Sequence, residues 1–182
     1  MTNTDELSPH KKSLTLRDCT LADADTIASI YNDYVRSGGS TMDTEEKTRS
    51  DIERQIQQFS DRETILVLEE EGLFVGWGII KRYSDRVGYR FTCETSVYLH
   101  RERIGQGYGT TLKKAVIERC KQYGYHHLVA KIFASNLASI EYNKKLGYDV
   151  VGRQREIGFR DGKWQDVVIM QLLLDDVQPP AT

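Results

Sequence analysis

Between Val97 and Leu112 the chain reads Val-Tyr-Leu-His-Arg-Glu-Arg-Ile-Gly-Gln-Gly-Tyr-Gly-Thr-Thr-Leu, a β-branched and aromatic run that passes through charges into alternating glycines and a helix. Gly105, Gly107 and Gly109 carry no Cβ, so the backbone can turn sharply and bring N–H groups against anionic oxygens at a helix N-terminus. The chemistry on offer is a pyrophosphate cradle. Two nucleotide-binding schemes suit it poorly. A dinucleotide fold places its glycines in the first βα unit, whereas a long stretch of this chain precedes Gly105. A Walker loop needs Gly-Lys-Ser/Thr, and Gly109-Thr110-Thr111 supplies no lysine. On this segment alone, an ordinary glycine-containing strand-to-helix turn stays open as an alternative.

The composition narrows the class. A chain of 182 residues with 39% hydrophobic content suits one compact domain with a sizeable core. A formal charge of −2 gives no global pull toward nucleic acid or an anionic membrane. No apolar run approaches the roughly 20 residues of a membrane span, and the first residues lack the apolar core of a signal peptide; the chain reads as cytosolic. Cys19, Cys93 and Cys120 are odd in number and have no metal-ligand spacing, so reduced thiols are expected and a disulfide framework is not. His126-His127 has no carboxylate or cysteine at ligand spacing, and no metal is expected.

The elements that must position the glycine loop follow from periodicity. Residues 1–13 and 176–182 are expected to be loosely ordered ends of a single domain spanning 14–175. Leu14 to Asp18 reads as a strand. Thr20 or Asp23 can cap a helix carrying Ile27, Ile30, Tyr31 and Tyr34. Glu45 to Phe59 reads as a second helix, with Ile52, Ile56 and Phe59 on one face. Ile65–Leu68, Leu73–Ile80 and Tyr89–Leu99 form an expected antiparallel meander. After a helix over Gly107–Tyr123 come a strand at Leu128–Phe133, a helix over Asn136–Leu146, and strands Tyr148–Phe159 and Trp164–Leu174 joined at Asp161-Gly162. The order βααβββαβαββ is a mixed α/β sheet with its glycine loop in the middle.

Four segments carry a resemblance: Cys93-Glu-Thr-Ser-Val-Tyr-Leu, Gly105-Gln-Gly-Tyr-Gly-Thr-Thr-Leu, Asn136-Leu-Ala-Ser-Ile-Glu-Tyr-Asn-Lys-Lys-Leu-Gly-Tyr, and Gly158-Phe-Arg-Asp-Gly-Lys-Trp-Gln-Asp-Val. From about Leu14 to Leu174 the chain resembles the GNAT superfamily of acyl-CoA N-acyltransferases, and within it the phosphinothricin and methionine sulfoximine acetyltransferase branch. The resemblance implies a mixed central sheet, flanked by helices, in which two parallel strands splay apart. The pantetheine arm of acetyl-CoA then lies in the gap like an added strand, along Val97, Tyr98 and Leu99. Its pyrophosphate sits on the loop Ile104, Gly105, Gln106, Gly107, Tyr108 and Gly109, at the positive end of the helix dipole. Ile104 stands where the superfamily usually has Arg or Gln; the cradle is mostly backbone, so little change is expected.

An amino-acid amine is mostly protonated at neutral pH and must lose a proton before it attacks a thioester. The resemblance gives Glu94 the place of the general base, and partial burial among Cys93, Thr95 and Val97 would favour its taking that proton, directly or through a water. Read without the resemblance, Glu94 is a solvent-facing strand glutamate. Many members place a tyrosine seven residues after the motif asparagine to protonate the departing thiolate; that position here is Asn143, and Tyr142 lies one place off, about 100° around the helix. Asn143 is then expected to orient the sulfur. Asn136 is both a helix N-cap by position and, by resemblance, a partner of the pantetheine amides.

For the acceptor, Arg86, Gly88, Tyr89 and Arg90 precede Glu94, and a guanidinium can grip a carboxylate with two hydrogen bonds. The resemblance assigns Arg86 such a role and makes Ser40-Thr41-Met42 a pocket wall, with Met42 on the substrate. The implied activity is acetyl transfer from acetyl-CoA to the α-amine of a small L-amino acid analogue, direct and without an acyl-enzyme at Cys93. A protein N-terminal or lysine acetyltransferase, or a non-catalytic CoA-binding module, is the alternative. The partners implied are acetyl-CoA, a small acceptor and a second copy of the chain, as a homodimer.

Overall fold

The computed structural model describes residues 13–178. The ends expected to be loosely ordered, 1–13 and 176–182, lie mostly outside the described residues. Of the few inside, Asp176 pairs with Lys121 at 2.8 Å and the Val177 N–H donates to the Leu174 carbonyl.

The elements are β1 (Leu14–Asp18), α1 (Ala24–Ser37), α2 (Arg49–Gln57), β2 (Thr64–Glu70), β3 (Leu73–Arg82), β4 (Thr92–Leu99), α3 (Tyr108–Gln122), β5 (His127–Phe133), α4 (Leu137–Lys145), β6 (Asp149–Arg160) and β7 (Lys163–Leu173). They follow the order that periodicity predicts. One seven-stranded sheet runs β1-β2-β3-β4-β5-β7-β6, antiparallel throughout except at β4 and β5, which are parallel.

Two boundaries differ from expectation by three residues or more, each for a local reason. The second helix starts at Arg49 rather than Glu45, because Thr48 and Asp51 close a capping box: the Asp51 N–H donates to Thr48 Oγ1 at 3.2 Å and the Thr48 N–H to Asp51 Oδ2 at 2.9 Å. The strand expected from Tyr89 starts at Thr92, because Val87–Tyr89 closes a 3₁₀ turn with the Tyr89 and Arg90 N–H groups bonded to Arg86 and Val87 carbonyls.

Alternation along the sheet gives it two buried faces. Ile27, Ile30 and Ile52 of α1 and α2 cover Ile65, Trp77 and Ile79 on one face. On the other, Leu112, Val116 and Cys120 of α3 and Ile140 of α4 pack on Leu66, Ile80, Cys93, Leu128 and Met170. Gly78 of β3 lies under α3, where a Cβ would stand 2.5 Å from Val116 Cγ2, and Gly76 lies against β4, where a Cβ would stand 2.5 Å from the Tyr98 carbonyl. The bareness of Gly78 lets α3 settle onto β3, which brings its N-terminus beside the end of β4. Gly78→Ala should therefore lift α3 and lower stability by about 1–3 kcal/mol, read as a fall in the urea unfolding midpoint; an unchanged midpoint would show that α3 is not held by this approach.

Candidate functional site: a cleft where two parallel strands part

β4 and β5 are paired only over Thr92–Glu94 and His127–Val129. Beyond that, β4 runs on to Leu99 bonded to β3, and β5 runs on to Phe133 bonded to β7. The parting opens a cavity of about 430 Å³, lined by Thr95–Leu99, Ala130–Phe133, the glycine loop, Lys113 and the α4 residues Ala138, Ser139, Tyr142 and Asn143. Tyr34 of α1 reaches into it: its hydroxyl donates to the Leu99 carbonyl at 2.9 Å and accepts from the Leu99 N–H at 3.2 Å. Leu99 thus turns its peptide groups into the cleft, and by the two-residue period Val97 does the same. Tyr98 serves the other side. Its ring packs on Trp77, Tyr31 and Tyr34, with centroids 4.5, 5.1 and 5.3 Å away. An extended chain with amide groups could bond the Val97 edge as an added strand would.

At the wide end of the cleft, Gly105 and Gly107 hold φ of +83° and +87°, with no atom within 4 Å of where a Cβ would stand. These left-handed turns favour glycine. No side chain caps α3, so the N–H groups of its first turn remain for an anion, with the helix dipole adding attraction. Ile104, Gly105, Gly107 and Gly109 line the cleft; Gln106 turns back to the Glu102 carbonyl at 2.7 Å, and the buried Tyr108 hydroxyl bonds Glu70. Gln106 and Tyr108 can therefore serve a ligand only through their backbone. Tyr142 donates to the Gly109 carbonyl at 2.6 Å, fixing the loop against α4, and burial pushes its phenol up. Asn136 caps α4 by accepting from the Ser139 N–H at 3.1 Å. Asn143 donates to the Ser139 carbonyl, and its Oδ1 is buried without a protein partner in the cleft wall.

Glu94 stands at the vertex, on the face toward α1 and α2. It opens with Ser96 and Tyr98 onto a second cavity of about 840 Å³, which Thr41, Met42, Asp43, Lys81, Lys131 and Gly158 also line. Lys131 Nζ lies 2.6 Å from Glu94 Oε2, and 23% of the Glu94 side chain is exposed. Met42 rests on Gly158, where a Cβ would stand 2.7 Å from the methionine Sδ. The buried Arg160 secures this wall: its guanidinium donates to the carbonyls of Thr41, at 2.6 Å, Asp43 and Val35. Arg86, Gly88, Tyr89 and Arg90 do not join Glu94 within one chain. Arg86, Tyr89 and Arg90 line a separate hollow with Arg62, Arg82 and Tyr125, because the 3₁₀ turn leaves them beyond the start of β4, at the end of the sheet away from the parting.

Sequence reasoning missed four residues. Lys131 reads as a stray charge in an apolar strand, although its parity with Val129 would have placed it beside Glu94. Lys113, in Leu112-Lys113-Lys114, reads as a solvated helix charge; it is 2% exposed, its Nζ donates to Thr95 Oγ1 at 2.8 Å, and burial lowers it to about 8. Tyr34 is legible only as a core residue. Arg160 carries no local signal, since its acceptors lie more than a hundred residues away.

A parting parallel pair, an unpaired strand edge and an uncapped glycine-led helix define an acyl-carrier transferase site, with a carboxylate at the point where an acceptor would enter. The chain matches the acetyltransferase (GNAT) domain family over residues 16–169 and belongs to that family. It is 34% identical to the L-methionine sulfoximine/L-methionine sulfone acetyltransferase of Pseudomonas aeruginosa, over 90% of this chain and 96% of the relative. It is 32% identical to the phosphinothricin N-acetyltransferase of Alcaligenes faecalis, over 82% and 77% of the two chains. The Salmonella typhimurium yncA structure, solved with its cofactor acetyl-CoA, superposes with a TM-score of 0.85 at 30% identity, covering 92% of this chain and 98% of that one.

Arg160→Met should release the Thr41, Asp43 and Val35 carbonyls and cost on the order of 3 kcal/mol, with the KM for an acceptor rising more than that for the acyl donor. Equal rises in both KM values would mean that the loop does not wall the acceptor pocket.

Proposed function

We propose that this N-acetyltransferase moves the acetyl group of acetyl-CoA to the α-amine of a small L-amino acid analogue of the methionine sulfoximine, methionine sulfone or phosphinothricin type. The observation that carries the reading is the position of Glu94, the last residue of β4 paired with β5, at the start of the parting and in the lining of the second cavity. Glu94 takes the proton of the acceptor ammonium, and Lys131 holds the carboxylate in place. The free amine then attacks the thioester carbonyl directly. Cys93 supports direct transfer, because its thiol faces the core against Cys120, 3.6 Å away, and burial pushes it up. A buried, protonated thiol is a poor nucleophile.

Val97 receives the pantetheine arm along its cleft-facing peptide groups, Leu99, whose N–H and carbonyl Tyr34 takes, lines the arm with Tyr98 behind it, Asn136 stands beside it, and the backbone of 104–109 receives the pyrophosphate. Asn143 presents Oδ1 to the sulfur as an acceptor, which can orient a thiol but gives no proton. Lys81 and Lys131 are cations of the acceptor cavity suited to a substrate carboxylate. A homodimer is supported by the β6–β7 hairpin: Phe159 and Trp164 stack at 5.1 Å yet are 59% and 63% exposed, and Ile157 is exposed nearby. Such an apolar patch is suited to a partner.

CoA release should be measured with purified protein, acetyl-CoA and a panel of methionine sulfoximine, methionine sulfone, phosphinothricin, ordinary amino acids and peptides. Saturable turnover on the analogues is expected, with kcat falling roughly 100-fold or more in Glu94→Gln. Cys93→Ala should keep turnover within a few-fold. Activity confined to peptides would transfer the function to protein acetylation, and near-total loss in Cys93→Ala with binding intact would overturn direct transfer.

A further inference from the structure

Thr95 follows Glu94 and, by strand alternation, points to the opposite face, toward α3 and the cleft. Two groups bond its hydroxyl: Lys113 Nζ at 2.8 Å and Tyr148 Oη at 3.2 Å. An ammonium only donates, and a threonine hydroxyl has two lone pairs and one proton. Burial pushes the Tyr148 phenol up and keeps its proton on, so it can fill the second lone pair. The Thr95 O–H is then left for a partner in the cleft.

Lys113 is itself unusual. The groups that face it are the Thr95 hydroxyl and Cys93 thiol of β4, the Cys120 thiol of α3 and, ahead of β6, the Tyr148 ring, 4.9 Å from Nζ. Among the described residues no carboxylate reaches it. A buried cation without a counter-ion costs stability that a leucine or methionine in its place would not, so packing does not account for it. A transient anion in the cleft would. Neither α4 residue supplies a proton there, since the Tyr142 O–H is committed to the Gly109 carbonyl and Asn143 offers an acceptor.

We propose that Thr95, backed by Lys113, protonates the departing CoA sulfur and that the Lys113 charge stabilises that sulfur as it leaves. This rests on the transferase reading above. As the new C–N bond is made and the C–S bond breaks, the sulfur leaves with the bonding pair. Thr95 gives it a proton and receives one from Lys113, whose neutral amine is reprotonated from water. The acceptor's protons leave by way of Glu94, so the balance is acetyl thioester plus ammonium to amide, CoA thiol and one released proton. Base and acid thus sit on consecutive residues of one strand, facing opposite sides of the sheet. Thr95 is the catalytic residue here and Lys113 the positioning one.

The test uses Thr95→Val, Thr95→Ser and Lys113→Met in the full chain, with two readouts. In turnover, Thr95→Val should lower kcat tenfold or more without changing the acceptor KM, and Thr95→Ser should restore it. Because burial lowers Lys113 to about 8, unaltered enzyme should lose kcat as pH rises through that value, and Lys113→Met should lower kcat and abolish that alkaline limb. In calorimetry without turnover, unaltered protein should bind CoA several-fold more tightly than desulfo-CoA, and Lys113→Met should bind the two equally. Removing an unpaired buried charge should leave the Tm of Lys113→Met unchanged or raised; should that variant fail to fold, the Thr95 pair decides through kcat and the same two ligands. Unchanged kcat, pH profile and CoA to desulfo-CoA ratio would overturn the proposal. Absence of transfer to any acceptor by unaltered protein would sink the proposed function instead, and the ligand comparison would still judge the sulfur site.

Discussion

The structure depends on the loss of pairing between β4 and β5 after Glu94 and Val129. Two strands can part inside a sheet only if each has its other edge satisfied and the freed edges find partners. β3 and β7 supply the outer edges. Inside, Tyr34 takes the Leu99 peptide groups, leaving those of Val97 for a ligand. The wedge is kept open from one side by α3, seated closely over Gly78, and the same seating aims its uncapped N-terminus at the wide end of the gap.

At the narrow end, the period of a strand separates functions that would interfere if they shared a space. Glu94 looks toward the second cavity with Lys131 beside it, while Cys93 and Thr95 look toward α3. A carboxylate and the hydroxyl that a buried ammonium bonds thus stand on consecutive residues without meeting.

The wall of the second cavity is assembled over long range. Arg160 joins the carbonyls of Val35, Thr41 and Asp43 to the end of β6, and Gly158 yields space for Met42. A guanidinium can bond several carbonyls in fixed directions, so one buried side chain sets the shape of a loop that has no regular structure of its own.

Much of this was legible in the chain. Apolar periodicity gave the element order, and Gly105 and Gly107 marked the left-handed turns ahead of α3 through their backbone freedom, because these are properties of residues a few positions apart; Glu94, read from its neighbours alone, is one more strand glutamate. Local hydrogen bonding moved the boundaries at Thr48 and Val87. What only the tertiary structure decided was which distant side chains converge: Lys131 on Glu94, Lys113 on Thr95, Tyr34 on Leu99 and Arg160 on the 41–43 loop, with Arg86, Tyr89 and Arg90 gathered in a hollow of their own. Those meetings follow from strand parting and helix seating, which bring together residues tens of positions apart, and no local pattern encodes the direction in which a lysine or arginine will point.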